Sequence, residues 1–295
     1  MKLEPQSAFE GLLAELRPRL HRYCARMTGS VIDGEDVVQE AMAKAIEAFP
    51  RAGDLERPEA WLFRIAHNAA LDHLRRRGRR QEVDDPGDFE GLADPADPVA
   101  QRQAAAASLA TFMRLPPGPR ASVVLADVLG HSLEETAQIL ETTLPTIKAA
   151  LHRGRARLRR LAAEPEAVAP PRMDAAERER LAAYVARFNS RDFDALRALL
   201  ADDARLDLVA RAQMRGRAQV STYFTRYAEA RDWQVELGRV EGRLAMLFRD
   251  PTDLQGPIWN FAVLTWVGDR VATIRDFRFA PYGLEGAEIV PEPAI

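Results

Sequence analysis

Two stretches of this chain set arginine, lysine and asparagine at helical spacing, the side chains best suited to phosphate oxygens and base edges. In the later stretch, LPTIKAALHRGRARLRRL, the apolar residues Leu144, Ile147, Leu151, Leu158 and Leu161 recur at the helical period and define one face. The opposite face carries Pro145, Thr146, Ala149, His152, Arg153 and Arg160, with Lys148, Arg155, Arg157 and Arg159 on its flanks. Small residues at the start of such a helix admit it to a major groove, and the later arginines meet phosphates. In the earlier stretch, Arg64, Asn68, Asp72 and Arg75 fall on one narrow polar stripe, and Arg76, Arg77, Arg79 and Arg80 extend the positive charge. A third set is of acid–base type. Tyr184, Asp203, Asp207 and Asp276 are the plausible proton-transfer groups of the last third of the chain, where an ion pair or buried network for Asp276, between Arg275 and Arg278, is the competing reading. All five histidines lie at or before His152, so a histidine-dependent mechanism there is excluded.

Helices must hold the two basic stretches. Ser132 is placed to cap a short helix and Glu135 to complete a capping box, with Leu133, Ala137 and Leu140 inward. A turn at Thr142 and Thr143 then leads into the arginine-bearing helix, which together read as a helix-turn-helix; an ordinary helical hairpin with a solvated basic face gives the same pattern. Upstream, Ser7 caps a helix bearing Phe9, Leu12, Leu13, Leu16 and Leu20, and Gly29 and Gly34 bracket the next break. Asp33 is the expected cap of DGEDVVQEAMAKAIEAF, whose Val38, Met42, Ala45 and Phe49 face inward while Asp36, Gln39, Glu40 and Ala43 face outward. That outward face reads equally well as plain solvated surface. Pro58 and Glu59 open a helix apolar around most of its circumference, with Trp61 and Phe63 either packed in a core or holding unstacked bases.

The chain has 295 residues, room for roughly two or three compact units. Its net charge of −3 makes nucleic-acid affinity a matter of local patches. Cys24 is the single cysteine, which excludes an intrachain disulfide and a multi-cysteine zinc site; no metal or cofactor is indicated. Charges interrupt the apolar part of the amino terminus and no span of about 18 apolar residues occurs, so a cytoplasmic location is expected. Residues 81–103 are acidic and proline-bearing and read as a flexible linker, and residues 164–173, rich in proline and alanine, as a second. The division expected is 7–80, helical; 104–163, helix-turn-helix; and 174–289, a further domain. In that last domain two amphipathic helices break at Asn189 and Ser190, a third covers STYFTRYAE, and ARLDLV, WQVELGRVEG, RLAMLFRD, PIWNFAVLTWVGD and RVATIRDFRFAP read as strands of a curled antiparallel sheet.

The order DGEDVVQEAMAKAIEAF, EAWLFRIAHNAALDHLRRR, a loose segment, LPPGPRASVVLADVLGHSLEETAQIL and LPTIKAALHRGRARLRRL resembles a bacterial extracytoplasmic-function sigma factor over about the first 163 residues. The resemblance implies two all-α modules, the second a helix-turn-helix, and RNA polymerase core and promoter DNA as partners. It places Asp36, Gln39 and Glu40 against the clamp helices of the largest polymerase subunit, with the polymerase flap as a further contact. It gives Asn68, Asp72, Arg75 and Arg76 to the downstream promoter element, and the helix-turn-helix, with Thr146, Lys148, Ala149, His152 and Arg153, to the upstream element. The phrases FNSRDFDALRALLADDARLDL, MRGRAQVSTYF and RVATIRDFRFAPYGLEGAEI are similar to the SnoaL-like extension fused to a subset of these factors, a cone-shaped α+β fold with a pocket between helices and sheet. The implied function is promoter-directed initiation modulated by the chain's own carboxy-terminal domain through contact with the sigma modules; Pro281, Tyr282 and Glu285 are the expected contact surface. A helix-turn-helix regulator independent of polymerase, or an enzyme or ligand sensor acting through the SnoaL-like pocket, remain the alternatives.

Overall fold

In the computed structural model, the described residues are 5–53, 55–78, 97–164 and 175–292, and Arg79, Arg80 and most of both expected linkers lie outside them. Contacts divide the chain into two units, Met1–Ala167 and Val168–Ile295, each with its own apolar core.

The first unit is helical: α1 Pro5–Thr28, α2 Val31–Ala48, α3 Pro58–Arg76, α4 Pro98–Ala106, α5 Leu109–Met113, α6 Pro117–Val123, α7 Leu133–Ile139 and α8 Leu144–Ala162. A π-helical turn, Val124–Val128, continues α6. Ser7, expected as a cap, already lies inside α1. The cap of α2 is Ser30, not Asp33: the Ser30 backbone is extended and its hydroxyl accepts from the Asp33 amide. Starting three residues earlier buries Val31 and Ile32 and leaves Asp33 in the first turn, buried and ion-paired with Arg77. Gly29, at φ +77, turns the chain between the helices. Gly34 is inside α2 because a Cβ there would stand 2.7 Å from the Ala25 backbone, so glycine is what allows α1 and α2 to approach. Residues 98–103, expected in the linker, are helical: Asp97 accepts from the amides of Val99 and Ala100, Pro98 fits the first turn, and Ala100 and Ala104 are buried.

The two helical modules pack against each other. One continuous cluster runs from Phe9, Leu20 and Phe63 to Phe112, Leu125, Leu151 and Leu158.

The second unit packs α9 Ala175–Asn189, α10 Phe193–Ala198 and α11 Arg217–Glu229 on one face of a seven-stranded sheet. Its strands are β1 Leu200–Leu208, β2 Ala212–Arg215, β3 Gln234–Val240, β4 Arg243–Arg249, β5 Asn260–Val267, β6 Arg270–Asp276 and β7 Ile289–Pro291, in the order β2-β1-β6-β5-β4-β3-β7. Every pairing is antiparallel except β1 with β6, so the sheet is mixed rather than wholly antiparallel. The short edge strands β2 and β7 went unforeseen, being too brief for an alternating pattern to register.

Candidate promoter and polymerase interfaces

The helix-turn-helix forms as its sequence dictates. Ser132 accepts from the Glu135 amide at 3.1 Å, the Glu135 carboxylate accepts from the Ser132 amide at 2.9 Å, and Thr143 caps α8. Burial of Ile147, Ala150, Leu151, Leu158 and Leu161 turns Thr146 fully outward and leaves Lys148, Ala149, His152 and Arg153 half-exposed on the same arc. Arg159 and Arg160 are exposed at the end of the helix. Arg155, expected on a phosphate-facing flank, is instead buried. Its Nε and Nη2 donate to both carboxylate oxygens of Asp127, at 3.0 and 2.6 Å, in a fork that leaves nothing for DNA.

On α3, Leu62, Phe63, Ala66, Ala69, Ala70 and Leu74 are buried, and Asn68 and Arg75 are exposed. Asp72 pairs with Arg75 at 3.0 Å, and Arg76 Nη2 donates to Glu40 at 2.6 Å. Phe63 is fully buried, stacking edge-on with Tyr23 and His131, and so is a core residue; Trp61 is only partly buried, beside Phe9. On α2, Asp36 and Ala43 are exposed, while Gln39 and Glu40 are half-exposed. Glu40 sits between Lys44 and Arg76, and although its partial burial opposes this, those two cations hold its carboxyl below the usual range.

Sequence reasoning missed a seam of polar contacts across the first unit. Arg57, just before α3, donates to Gln138 of α7 at 3.0 Å, and Arg64 of α3 pairs with Glu141 at 3.0 Å. Arg19 pairs with Glu59 and reaches the Leu129 carbonyl and the His131 ring, each at 3.4 Å. Arg120 of α6 donates to the Met27 carbonyl at the end of α1 at 2.6 Å. These partners lie far apart in sequence, and no local pattern announces them.

In the second unit, the four proton-transfer candidates do not form one site. Asp276 is fully buried on the inner face of β6. Its carboxylate accepts from Tyr223 (2.8 Å), Tyr227 (2.7 Å), the Asn260 side chain (2.9 Å) and the Arg278 amide (2.9 Å). Tyr184 is buried nearby, with its phenol pushed up by desolvation and then by the Asp276 charge. Asp207 points the other way, because its strand neighbours Leu206 and Leu208 take the core positions; it pairs with Arg275 at 3.2 Å across β1 and β6. Asp203 is exposed. The expected pocket set therefore separates into a buried pair and two residues outside that core.

Three segments match family descriptions: Sigma-70 region 2 over residues 12–80, Sigma-70 region 4 over 109–158, and the SnoaL-like domain over 181–274. The Mycobacterium tuberculosis protein named ECF RNA polymerase sigma factor SigM is 36% identical over 157 residues, 52% of this chain and 76% of that protein. The chain belongs to the extracytoplasmic-function sigma factors. Bacillus subtilis SigW, named likewise, is 31% identical over 175 residues, 54% of this chain and 91% of that protein. The crystal structure of the M. tuberculosis factor SigJ covers 92% of this chain and 98% of its own, at 22% identity and a TM-score of 0.36. In this sigma factor α1 to α3 make up region 2, α5 to α8 region 4, and the second unit the SnoaL-like domain. No helix among the described residues is long and apolar enough to cross a membrane.

Proposed function

We propose that this sigma factor directs core RNA polymerase to specific promoters in the cytoplasm and initiates transcription there. The observation that carries the reading is the pairing, in one chain, of a capped helix-turn-helix whose α8 turns Thr146, Lys148, Ala149, His152 and Arg153 outward with a second helix, α3, exposing Asn68 and Arg75. On this reading α8 reads the upstream element, Asn68, Asp72, Arg75 and Arg76 act at the downstream element, and Asp36, Gln39 and Glu40 meet the clamp helices, with the flap as the contact of region 4. The SnoaL-like unit modulates this activity rather than performing catalysis. In support, Asp276 is saturated by four donors in a core of aromatic side chains, the arrangement of a structural anion rather than a free base. The test is transcription of a genomic promoter library by core enzyme with and without the purified chain. Promoter-specific transcripts that need both components bear the reading out. Sequence-specific duplex binding by the chain alone, with no transcript gained from core, would replace it with a polymerase-independent regulator.

A further inference from the structure

On the sheet of the second unit, Arg239 pairs with Glu292 at 2.7 Å, Arg249 with Glu236 at 2.7 Å and Arg275 with Asp207 at 3.2 Å. Arg205 of β1 and Arg215 of β2 differ from these. They stand directly opposite each other in the antiparallel register and both are exposed. Among the described residues neither guanidinium has an ion-pair or hydrogen-bond partner. Ala204 and Leu206 of β1 and Met214 of β2 turn to the core, so the two arginines share the outer face. Asp203, exposed two residues before Arg205, makes no ion pair with either. The row continues on the other side of β1, where Arg205 lies beside Thr273 of β6 and Thr273 lies opposite Thr265 of β5, the two hydroxyls 2.6 Å apart. At about 4.8 Å between strands, the four side chains form a strip about 14 Å long.

Like charges directly opposite on a sheet destabilise it, so the arginine pair carries a cost that an anion held between the two guanidiniums would remove. Arginine forks and threonine hydroxyls are side chains that hold phosphate oxygens. Duplex DNA presents one charge per about 1.7 Å of its axis and so engages both guanidiniums at once, whereas one carboxylate carries charge for only one of them. We propose that the strip of Arg215, Arg205, Thr273 and Thr265 is a sequence-independent contact for the phosphate backbone of duplex DNA. The choice of duplex DNA rests on the promoter-binding reading of the chain. The strip adds affinity without base readout, and promoter choice stays with α3 and α8.

The test uses the full chain and a labelled 30-base-pair duplex of random sequence, with binding followed by fluorescence anisotropy from about 50 to 200 mM salt. Arg205→Ala with Arg215→Ala should weaken binding on the order of ten-fold at the lowest salt and flatten the salt dependence by about two phosphate contacts. Arg187→Ala with Arg231→Ala removes two exposed arginines elsewhere on the same unit and should shift affinity by less than about two-fold. The urea midpoint of the second unit, read by tryptophan emission in a Trp61→Phe background, should hold or rise in the Arg205 and Arg215 double variant, because a like-charge contact is gone. Equal affinities for the two double variants, no measurable binding by the full chain at the lowest salt, or a fall in that midpoint matching the lost affinity would overturn the strip. Labelled polyglutamate of equal charge should bind more weakly than the duplex and lose little in the double variant; the reverse order would make this face a site for acidic protein and overturn the assignment to DNA. The assay contains no polymerase. A strip that behaves as expected in a chain inert with core enzyme would therefore refute the promoter-specificity reading and leave the strip standing.

Discussion

Arg153 and Arg155 lie two positions apart on α8, and the fold gives them different work. Arg155 is forked onto buried Asp127, so Arg155→Ala strands a carboxylate in the core. We expect a loss of about 3–5 kcal/mol in urea unfolding of the first unit. Arg153→Ala should weaken upstream promoter contact, since Arg153 is half-exposed on the arc opposite the buried face of α8. The sequence could not separate the two, because Arg155 is a flank position whichever way the helix rolls and Asp127 belongs to another element. Asp276 makes the complementary case. Asp276→Leu would leave the hydroxyls of Tyr223 and Tyr227 and the Asn260 amide unpaired, and several kcal/mol, at about 1–3 per orphaned group, should go from the second unit. Trp233, Trp259 and Trp266 lie in that unit and Trp61 in the first, so tryptophan emission of a Trp61→Phe chain follows it. His67 supplies a pH dependence. Burial pushes its imidazole down to about 4, and its Nδ1 shares a hydrogen bond of 2.7 Å with the Tyr23 hydroxyl. The unfolded chain takes up this proton near pH 6.5 and the folded chain only near 4, so acidification between those values favours unfolding by up to about 1.4 kcal/mol per pH unit. His67→Gln should flatten the urea midpoint over that window.

At the scale of the element, α2 and α3 show what patterning can and cannot resolve. Their inward faces were legible because the apolar residues repeat at the helical period, and the Ser132–Glu135 capping box because both partners sit within one turn. The start of α2 was not, since Ser30 and Asp33 are both good caps and the choice turns on whether Val31 and Ile32 find a core, which is a tertiary fact. The same limit applies to the outward face. Asp36 is exposed, whereas Glu40 is half-exposed and bridges Lys44 and Arg76. Asp36→Lys should therefore weaken binding to core polymerase with helicity unchanged by circular dichroism, and Glu40→Gln should act partly through release of Arg76. Unchanged affinity for core in Asp36→Lys would take that face out of the polymerase interface. Asn68→Ala and Arg153→Ala should likewise diverge. Asn68→Ala impairs promoters carrying an intact downstream element, Arg153→Ala those depending on the upstream one, each by about 1–3 kcal/mol. A common defect on both promoter sets would refute the division of labour.

At the scale of the whole molecule, the sequence marks two helical modules and a further domain, and in the structure both helical modules fall within one compact unit. The residues that fuse regions 2 and 4 are ordinary core positions of each helix, such as Phe63, Phe112 and Leu125, joined by pairs as distant as Arg120 with Met27. Nothing in a local window distinguishes an apolar residue that completes its own module from one that docks on another. The SnoaL-like unit, by contrast, was legible as separate because its helices and strands close a core of their own. That independence makes its regulatory role testable by truncation. The cut belongs after Ala167, because Glu164 ion-pairs with Arg114 and an earlier cut would damage region 4 itself. Tethering through a short linker sets an effective concentration of about millimolar, so the regulatory contact predicted for the expected surface, Pro281, Tyr282 and Glu285, would need only weak affinity. Chain 1–167 should unfold cooperatively on its own and transcribe the cognate promoter with core enzyme at a rate several-fold different from the full chain. Restoring the full-chain rate by adding residues 168–295 in trans should need concentrations near that effective value, while Pro281→Ala with Glu285→Lys in the full chain should reproduce the truncated rate. If chain 1–167 and the full chain transcribe alike, the SnoaL-like unit does not govern initiation and its function lies in a separate activity.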